Sequence, residues 1–578
     1  MVALADIRRW DAGGVESAFA GLGTVRDRLL ALDDELRATR PPDSWRSGAS
    51  VAALASQERL AERMRRITAG VAALRPSIAE TGDAVTALRR DLDHADALAA
   101  GRGFTIGADG TVTDTRQTVL PLDQVDAYNR QRTLEQNEIL TVVETVLRRA
   151  AEIDTALADL LARAAAEQIE DGTGASLVGA ATTGLGARVL DLPDPPAAAT
   201  PEQSNAWWDG LSPAEQDRVV AERPEWVGNR DGIPAVTRDD ANRHLLAAET
   251  QRLDRELADA TQRWQASLDV PLPPGMEGQG ETRDQLALRE EVERLQGQRD
   301  ALGAVATTVA SPDRQLLLLD VSGHDEPRAA IAVGDVDTAD HVSVFTPGFT
   351  TTVAGSLSGY TEDMLGVQQA AQRLLDQSPL AGETAASVAW LGYDAPQWDS
   401  VVSSDQSVAT DAAARAGGAD LARFIDGVGA SRDSDPHLTA LGHSYGSTTT
   451  GYALQQATGV DDAVLFGSPG SGTGDVDDLR VPPGHTAVLE ARQDAVADLG
   501  SFGGDTNQLD GTVGLSAREE TGPTGMPLRE SVGHSDYLAP GTTSQHNIAA
   551  TVAGLHDQRI EGGSDGLGDV LRYGWDAF

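Results

Sequence analysis

Apolar side chains recur at helical spacing through most of the first half of the chain. Three stretches show this pattern, with arginine and acidic residues between the apolar positions: Val15 to Leu36, Val51 to Leu98 and Leu134 to Ala166. Apolar residues that return every three or four positions predict amphipathic helices with one buried face. Phe104-Thr105-Ile106 and Val112 flank an Asp109-Gly110 turn, which predicts a small hairpin between two of these helices. The sequence therefore predicts a helical domain over residues 1–170.

The helical spacing stops after residue 170. Residues 171–200 are rich in Gly, Ala, Thr and Pro, a composition that is typical of a linker. Ser212 and Glu215 then have the spacing of a capping box, with Pro213 at the favoured first position of a helix. Further polar helical stretches predict that residues 201–310 form a helical segment leading into a second domain.

Short apolar runs bounded by turn residues replace the helical spacing after residue 310. Such runs predict buried strands, and they occur at Gln315–Val321, Ala329–Val333, His341–Phe345, Ser387–Leu391, Leu438–Leu441, Ala463–Phe466 and Thr486–Glu490. Helical stretches lie between most of the later runs, at Ala370–Gln377, Asp411–Val428 and Ser447–Gln456. Strands that alternate with helices predict an α/β domain over residues 311–578, with a largely parallel sheet.

Composition and charge narrow the classes of function. With 40% hydrophobic and 23% charged residues, the chain has the composition of a globular protein. Its 89 acidic residues against 46 basic ones give a formal charge of −43, which repels phosphate backbones, so we predict no nucleic-acid binding. The absence of cysteine excludes disulfides, thiolate nucleophiles and cysteine-ligated metals. Neither a secretory signal pattern nor a transmembrane apolar run occurs, so we expect a soluble protein, cytoplasmic as synthesised.

The segment from Leu438 to Ser447 carries the strongest indication of chemistry. Its sequence, Leu-Thr-Ala-Leu-Gly-His-Ser-Tyr-Gly-Ser, places a Gly-x-Ser-x-Gly pattern between a predicted strand and a predicted helix. In a nucleophile elbow the serine sits on a sharp strand-to-helix turn, and the two glycines let neighbouring backbone approach. We therefore predict that Ser444 is a nucleophile. A purely structural turn is the alternative in a chain this rich in glycine.

A serine nucleophile needs an acid that orients its base, and in this arrangement the acid follows the serine along the chain. The run that ends at Glu490 predicts a strand, and Asp494 lies just past its carboxyl end. We predict Asp494 as the acid, with Asp498 as the alternative. A solvated loop carboxylate would look the same in a chain with so many acidic residues.

The base is expected among the four histidines that follow Ser444. His534 lies in a glycine-flanked loop just before the final predicted helix, where a side chain can reach the carboxyl edge of the sheet. His546 and His556 fall on or near that helix, and His485 precedes the acid, which is the wrong order. The sequence therefore predicts His534 as the base.

An oxyanion hole needs two backbone N–H donors, one from the residue after the nucleophile and one from a loop after an earlier strand. Tyr445 follows the serine and supplies the first donor. The predicted strand His341–Phe345 leads into a Pro-Gly segment, in which Gly348 would let the backbone come close. We predict Phe349 as the second donor, with Thr350 as its alternative. A simple Pro-Gly turn without this role is the competing interpretation.

Four segments after residue 200 follow one another in a recognisable order. They are the helical segment from Trp207-Trp208 to Arg243, Trp390-Leu391-Gly392-Tyr393-Asp394-Ala395-Pro396, Gly442-His443-Ser444-Tyr445-Gly446-Ser447 and Gly467-Ser468-Pro469-Gly470. Together they resemble an actinobacterial alpha/beta-hydrolase family known mainly as a domain of unknown function. The resemblance covers about residues 200–557 and implies a serine hydrolase fold with Ser444, Asp494 and His534 in the triad positions. It implies no particular substrate. The long, glycine-rich stretch from Asp498 to Glu530 departs from the pattern, as an insertion or a flap.

The first ~100 residues resemble, more distantly, the helical-hairpin WXG-like proteins handled by type VII secretion. Trp45-Arg46-Ser47-Gly48 stands between two helical stretches, one residue longer than the usual Trp-x-Gly spacing. None of the seven tyrosines is followed four residues later by Asp or Glu, so the usual tyrosine export signal is absent. The resemblance implies a protein partner for the N-terminal helices and an export route of this type. A plain antiparallel helical bundle is the alternative.

These patterns together predict an alpha/beta-hydrolase fold preceded by a long all-α region, acting as a serine hydrolase on an ester. No cofactor is expected. A metal site is not predicted either, because no histidine pair has the His-Glu-x-x-His spacing. The expected substrate is a small-molecule or lipid ester. Two alternatives stay open: a catalytically inert, secretion-associated scaffold or binding protein, and an exported effector that attacks lipid or cell-envelope esters.

Overall fold

The described part of the chain divides into two units. A computed structural model describes residues 2–10, 12–39, 47–116, 125–170, 177, 179–180, 192–269, 281–322, 326–397, 411–432, 434–494, 496–497, 502–504, 506 and 509–562. One unit comprises Met1–Ala198 and Ala206–Val219, and the other comprises Ala199–Asn205 and Val220–Phe578. The borders predicted at residues 170, 200 and 310 stay a prediction. Trp45, Arg46 and most of the predicted linker lie outside the described residues.

Long helices dominate the first unit, in agreement with the helical periodicity of its sequence. Its elements begin with α1 (Leu4–Ile7), α2 (Ala12–Ala38), α3 (Gly48–Arg102), β1 (Phe104–Ile106), β2 (Val112–Asp114) and α4 (Val125–Ala165). The two strands pair antiparallel, so the predicted hairpin is present. Leu92 of α3, Phe104 of the hairpin and Val143 of α4 are buried in one apolar cluster. The apolar faces of α3 and α4 therefore pack into one common core.

Strands and helices alternate along the chain from about residue 314 onwards. The elements after α4 are α5 (Pro201–Asp209), α6 (Pro213–Glu222), a 3₁₀ turn (Pro224–Trp226), α7 (Ala235–Leu268), α8 (Arg283–Thr308), β3 (Arg314–Asp320), β4 (Arg328–Val333), β5 (His341–Thr346), α9 (Val353–Asp376), β6 (Ala385–Leu391), α10 (Ala412–Ala430), β7 (His437–His443), α11 (Tyr445–Leu454), β8 (Asp462–Phe466), a 3₁₀ turn (Val476–Asp478), β9 (Thr486–Leu489), β10 (Val513–Leu515), β11 (Glu520–Thr521), β12 (Pro527–Leu528), α12 (Thr543–Val552) and a 3₁₀ turn (His556–Gln558). All seven predicted strands are present, with ends shifted by at most two residues.

Eight strands form the sheet of the second unit, in the order β10-β9-β8-β7-β5-β6-β4-β3. Strands β10, β9, β8, β7, β5 and β6 pair in parallel, whereas β4 pairs antiparallel with both β6 and β3. The predicted α/β fold with a mostly parallel sheet is therefore confirmed. The sequence did not reveal β10, which lies within the stretch expected to be an insertion or flap. Its three residues, Val-Gly-Leu, are too short a run to predict a strand, and pairing with β9 makes them one.

Helices cover both faces of this sheet, so alternate residues of its central strands enter different cores. Along β6, Ala389 and Leu391 pack with residues of α7, α8, α9 and α12, whereas Val388 and Trp390 pack with residues of α10 and α11. In such a sheet, sites form where loops leave the carboxyl ends of the parallel strands. None of the helices in the described ranges combines the length and the apolar content that crossing a membrane requires.

A buried ion pair joins α4 to the start of α6 within the first unit. The Ser212 hydroxyl and N–H each donate to a carboxylate oxygen of Glu215 at 2.9 Å, and the Glu215 N–H donates back at 3.4 Å, which is the predicted capping box. The same carboxylate pairs with the guanidinium of Arg149, and the two side chains are 3% and 5% exposed. The second acidic partner of Arg149, Glu152, is 40% exposed. Glu215 is therefore the partner that compensates the buried charge of Arg149.

We expect Glu215→Ala to lower the stability of the first unit by about 3–5 kcal/mol, because it leaves the Arg149 charge buried without its partner. The matched variant Glu152→Ala should cost less than about 1 kcal/mol, since exposed ion pairs contribute little. Amide hydrogen exchange of α4 peptides in the intact chain measures both effects, with peptides of the sheet as an internal reference. Equal protection of α4 in the two variants would contradict this account.

Candidate active site

Ser444 is the single residue between β7 and α11. The strand ends at His443 and the helix begins at Tyr445. The backbone of Ser444 has φ 56° and ψ −135°, a conformation that residues with a side chain rarely adopt. Two hydrogen bonds hold it: the Ser444 N–H donates to the Phe466 carbonyl at 3.1 Å, and the Ser447 hydroxyl donates to the Ser444 carbonyl at 2.6 Å. Sequence position and backbone strain together match a nucleophile elbow.

The two glycines of the motif make the close packing of this turn feasible. A Cβ atom on Gly446 would collide with the carbonyl oxygens of Thr346 and Pro347, at the end of β5. A Cβ atom on Gly442 would lie 2.7 Å from the Cα atom of Ser447 in the following helix. Each position therefore requires glycine because backbone occupies the space of a side chain.

Asp494 and His534 are in direct contact at the carboxyl edge of the sheet. Asp494 lies in the loop after β9, and His534 lies in the loop before α12. The Nδ1 atom of His534 is 2.9 Å and 3.0 Å from the two carboxylate oxygens. The two loops also share backbone pairing, since the Gly533 N–H donates to the Arg492 carbonyl at 2.8 Å. Two residues that are 40 positions apart are thus brought together.

The charge of Asp494 is stabilised although its side chain is fully buried. Burial by itself raises the pKa of Asp494, but the hydrogen bonds from His534 and Tyr537 and the attraction to His534 hold the pKa below its ordinary value. The Val496 N–H adds a hydrogen bond to Oδ1 at 3.1 Å. An ionised carboxylate only accepts hydrogen bonds, so Nδ1 of His534 carries a hydrogen, and in the neutral tautomer the lone pair is on Nε2.

Tyr537 supports the carboxylate of Asp494, a contact that no sequence pattern indicated. Its hydroxyl donates to Oδ2 of Asp494 at 2.6 Å and accepts a hydrogen bond from the Ala491 N–H at 2.8 Å. Burial, and next the negative charge of Asp494, raise the pKa of Tyr537 well above its ordinary value, so the hydroxyl keeps its proton. The only signal in the sequence is an aromatic residue three positions after His534.

His443 is a second supporting residue that the sequence analysis did not single out. Its Nε2 atom lies 2.7 Å from the carbonyl oxygen of His534, and because a carbonyl can only accept, Nε2 is the donor. Burial, and next the proximity of His534, lower the pKa of His443 to about 3, so its ring is neutral at physiological pH. The two rings are 4.7 Å apart. The residue before Ser444 thus positions the loop that carries the predicted base.

The loop after β5 passes directly beside the turn at Ser444. A Cβ atom on Gly348 would lie 2.7 Å from the Cβ atom of Ser444 and 2.9 Å from the backbone nitrogen of Tyr445. Phe349 follows in this loop, half-buried. The two segments predicted to supply oxyanion donors are therefore neighbours on either side of the turn at Ser444.

The segment 390–396, one of the four motifs, anchors that loop. The Tyr393 hydroxyl donates to the Pro347 carbonyl at 2.7 Å, and the ring of Tyr393 stacks on Trp390. The N–H of Thr350 donates to the Pro396 carbonyl at 2.9 Å. This hydrogen bond engages the backbone N–H of Thr350, the alternative donor.

The other three candidate histidines lie away from Ser444. His485 and His556 both face the carboxylate of Asp462, at the amino edge of the sheet. The Nε2 atom of His546 lies 3.0 Å from the Gln558 carbonyl oxygen. Among the described histidines after Ser444, His534 is thus the one that contacts the predicted acid.

Two other aspartates bear on this contact: Asp536, which is near His534 in sequence, and Asp498, the predicted alternative to Asp494. Asp536 lies close to His534 in sequence, but its carboxylate pairs with the guanidinium of Arg529 at 2.9 Å and accepts from the Val532 N–H at 3.3 Å. Asp498 lies outside the described residues. The histidine therefore faces Asp494 rather than the acid nearest to it along the chain.

The Gly-Ser-Pro-Gly motif after β8 leaves room for the aspartate–histidine contact. Gly467 has φ 55°, and a Cβ atom there would lie 2.9 Å from Oδ2 of Asp494 and 3.2 Å from two ring atoms of His534. The Ser468 hydroxyl donates to the Ser447 hydroxyl oxygen at 2.6 Å, because the hydrogen of Ser447 is already donated to the Ser444 carbonyl, and this bond links the motif to α11. A glycine is needed at position 467 for both conformation and space.

A mostly parallel sheet lies between two layers of helices, and a serine in a strained turn joins β7 to α11. This arrangement is typical of the alpha/beta hydrolases. Residues 322–504 match the model of a family described as alpha/beta hydrolase. An uncharacterised protein of Mycobacterium tuberculosis is 39% identical over 227 residues, which cover 38% of this chain and 82% of that protein. A protein of Mycobacterium bovis shows the same figures. The chain therefore belongs to the alpha/beta-hydrolase family.

A second uncharacterised protein of Mycobacterium tuberculosis is similar over a longer stretch. It is 29% identical over 519 residues, which cover 82% of this chain and 74% of that protein. This share is larger than residues 199–578 alone could supply, so the similarity continues into the N-terminal helices. The two parts of the chain thus occur together in that relative.

We expect Gly467→Ala to disrupt the hydrogen bond between Asp494 and His534. Gly459→Ala is the matched control, because Gly459 has a similar φ of 67° but open space around its Cβ position. Both variants carry a backbone cost of about 1–2 kcal/mol, so a further loss of unfolding free energy in Gly467→Ala reports the side-chain contact alone. The downfield proton resonance of the His534 Nδ1–H should disappear in Gly467→Ala and persist in Gly459→Ala. Its persistence in both would contradict the geometry described here.

Proposed function

We propose that this protein is a serine hydrolase that cleaves an ester through Ser444, His534 and Asp494. The observation that carries the proposal is the hydrogen bond between His534 and the buried Asp494, at the same sheet edge as a serine in a strained turn. A scaffold that only binds partners has no need of an ionised carboxylate held against a histidine by a buried tyrosine. The pair therefore favours an enzyme over an inert scaffold.

The chemistry follows from the protonation state of the pair. Because Asp494 fixes the hydrogen of His534 on Nδ1, the free Nε2 is the atom that accepts a proton from the Ser444 hydroxyl. The serine oxygen then forms a bond to the ester carbonyl carbon, and the resulting imidazolium returns the proton to the departing alcohol. A water molecule then attacks the acyl carbon of the acyl-enzyme while His534 takes a proton from it. The bond to the serine oxygen breaks, His534 returns the proton to Ser444, and the carboxylic acid is released.

The negative charge that develops on the carbonyl oxygen requires donors fixed in advance. In this proposal the backbone N–H groups of Tyr445 and Phe349 supply them, one from the start of α11 and one from the loop after β5. The start of a helix favours this role because its first N–H groups point away from the helix and its dipole is positive there. Tyr393, through the Pro347 carbonyl, holds the second donor segment in place.

The choice of an ester rests on analogy with other members of this fold. A small-molecule or lipid ester is the proposed substrate class. An exported effector that acts on lipid or cell-envelope esters would use the same residues and the same steps.

We expect Ser444→Ala to abolish hydrolysis of short p-nitrophenyl esters and all labelling by a fluorophosphonate probe. Loss of one member of such a triad typically lowers kcat by ~10⁴–10⁶-fold. Circular dichroism and thermal unfolding check that the variant folds. Mass spectrometry of the labelled wild-type protein should place the probe on Ser444. Equal turnover in the variant, or a label on another residue, would refute the assignment.

We expect His534→Ala and Asp494→Ala each to lose most turnover, because one removes the base and the other the group that fixes its tautomer. His546→Ala and Asp536→Ala are the controls, since His546 faces the Gln558 carbonyl and Asp536 pairs with Arg529. Both controls should keep most of the wild-type kcat on the same p-nitrophenyl ester. An inactive His546→Ala beside an active His534→Ala would show that the triad is assigned wrongly even if the enzyme class is right.

A further inference from the structure

Three histidines surround one buried aspartate at the amino edge of the sheet, opposite to Ser444. Asp462 begins β8, and His437 begins the neighbouring strand β7. His485 immediately precedes β9, and His556 lies in the 3₁₀ turn after α12. β7 runs from the cluster to the nucleophile turn, so about 20 Å of strand separates the two places.

The donor atoms of this cluster converge on the carboxylate. Nε2 of His437 and Nε2 of His556 lie 2.9 Å and 2.8 Å from Oδ2 of Asp462, and Nδ1 of His485 lies 3.2 Å from Oδ1. The ligand atoms of His437, Asp462 and His556 all lie within 4.8 Å of one another. Imidazole nitrogens and carboxylate oxygens are among the ligands that bind Zn²⁺ in proteins.

Part of this donor set has no hydrogen bond in the described structure. The side chain of Asp462 is 0% exposed, yet its Oδ1 atom and the Nδ1 atom of His485 make no hydrogen bond to any described residue. The guanidinium of Arg559 approaches Oδ1 only to 3.9 Å. A buried carboxylate oxygen without a hydrogen bond is energetically unfavourable, so a positive group bound beside it would stabilise the folded protein.

The environment of His437 points to the same conclusion. Its Nδ1 atom lies 3.3 Å from the Val552 carbonyl, which can only accept, so Nδ1 carries a hydrogen. Its Nε2 atom forms a hydrogen bond with Oδ2 of Asp462 at 2.9 Å. A metal ion bound by these two atoms would take the place of the proton between them. A backbone carbonyl on the far nitrogen is also the usual outer partner of a metal-bound histidine.

We propose that Asp462, His437, His556 and His485 form a binding site for one divalent first-row metal ion, with Zn²⁺ as the best match. Zinc–ligand bonds of about 2.0–2.2 Å in a tetrahedron set neighbouring donors about 3.3 Å apart. The Nε2 atoms of His437 and His556 lie 2.9 Å and 2.8 Å from Oδ2 of Asp462, which is near that spacing. The three imidazoles are 22–33% exposed, so an ion can enter from solvent.

The expected consequence of binding is structural rather than catalytic. The ligands come from β7, β8, the residue before β9 and the segment after α12, so one ion would link three adjacent strands to the segment that follows the last described helix. Binding to the folded state alone raises the unfolding temperature. Because the ligands lie far from the nucleophile turn, metal binding and ester hydrolysis are separable properties.

The test uses the full chain, treated with a chelator and then titrated with Co²⁺ and Zn²⁺. We expect one Co²⁺ per chain with the intense visible absorption of four-coordinate cobalt, displaced by Zn²⁺, and a rise in unfolding temperature with Zn²⁺. Surface carboxylates, numerous in a chain with 89 acidic residues, give only the weak spectrum of six-coordinate cobalt. Isothermal titration calorimetry gives the Kd.

Two cluster variants and one control make the test specific. His556→Gln and Asp462→Asn should each weaken Zn²⁺ binding by ~100-fold or more and abolish the metal-dependent rise in unfolding temperature. His546→Gln, on α12 but outside the cluster, should bind as the wild type does. The proposal is overturned if the wild type binds no Zn²⁺, if Co²⁺ gives only the six-coordinate spectrum, or if the cluster variants bind as tightly as the wild type. Since no readout depends on ester hydrolysis, each proposal can fail without the other.

Discussion

The left-handed backbone of Ser444 is the constraint on which the arrangement around the candidate site depends. A residue with a side chain pays roughly 1–3 kcal/mol for such a conformation, so its surroundings must hold it. β8 does so through the Phe466 carbonyl, and α11 does so through the Ser447 hydroxyl. The end of β5 packs against Gly446 so closely that no side chain fits between them. Three neighbouring segments thus fix one turn, and the loops that carry Phe349 and His534 are positioned around it.

The two buried aspartates of the sheet have contrasting environments. Asp494, at the carboxyl edge, accepts hydrogen bonds from His534, Tyr537 and the backbone, so its charge is compensated within the protein. Asp462, at the amino edge, is surrounded by imidazoles, and one of its oxygens has no hydrogen bond among the described residues. The first arrangement is the one that we propose orients a proton acceptor, and the second is the proposed metal site. Parallel pairing of β7, β8 and β9 creates both, because it aligns the strand starts at one edge and the strand ends at the other.

Local sequence patterns were sufficient for seven strands of the sheet and for singling out the turn at Ser444. Each of the seven predicted strands is a short, mostly apolar run, and burial on both faces of the sheet favours such a run. Ser444 could be singled out because its strand, its two glycines and its helix all lie within ten residues. β10 could not be predicted, since its three residues become a strand only through pairing with β9. Tyr537 and His443 escaped notice for a similar reason: their roles are contacts with Asp494 and His534, which no local pattern records.

The sequence alone therefore determined the elements and their order: a helical region, then alternating strands and helices with a serine turn of recognisable form. The order of residues after Ser444 also limited the predicted acid to two aspartates and the predicted base to four histidines. The tertiary structure decided which candidates meet, bringing His534 to Asp494 across 40 positions while Arg529 engages Asp536. It also gathered His437, Asp462, His485 and His556, whose separations along the chain match no metal-binding motif. The physical reason is that periodicity and turn chemistry act between near neighbours, whereas these contacts arise only when a parallel sheet aligns the ends of distant strands.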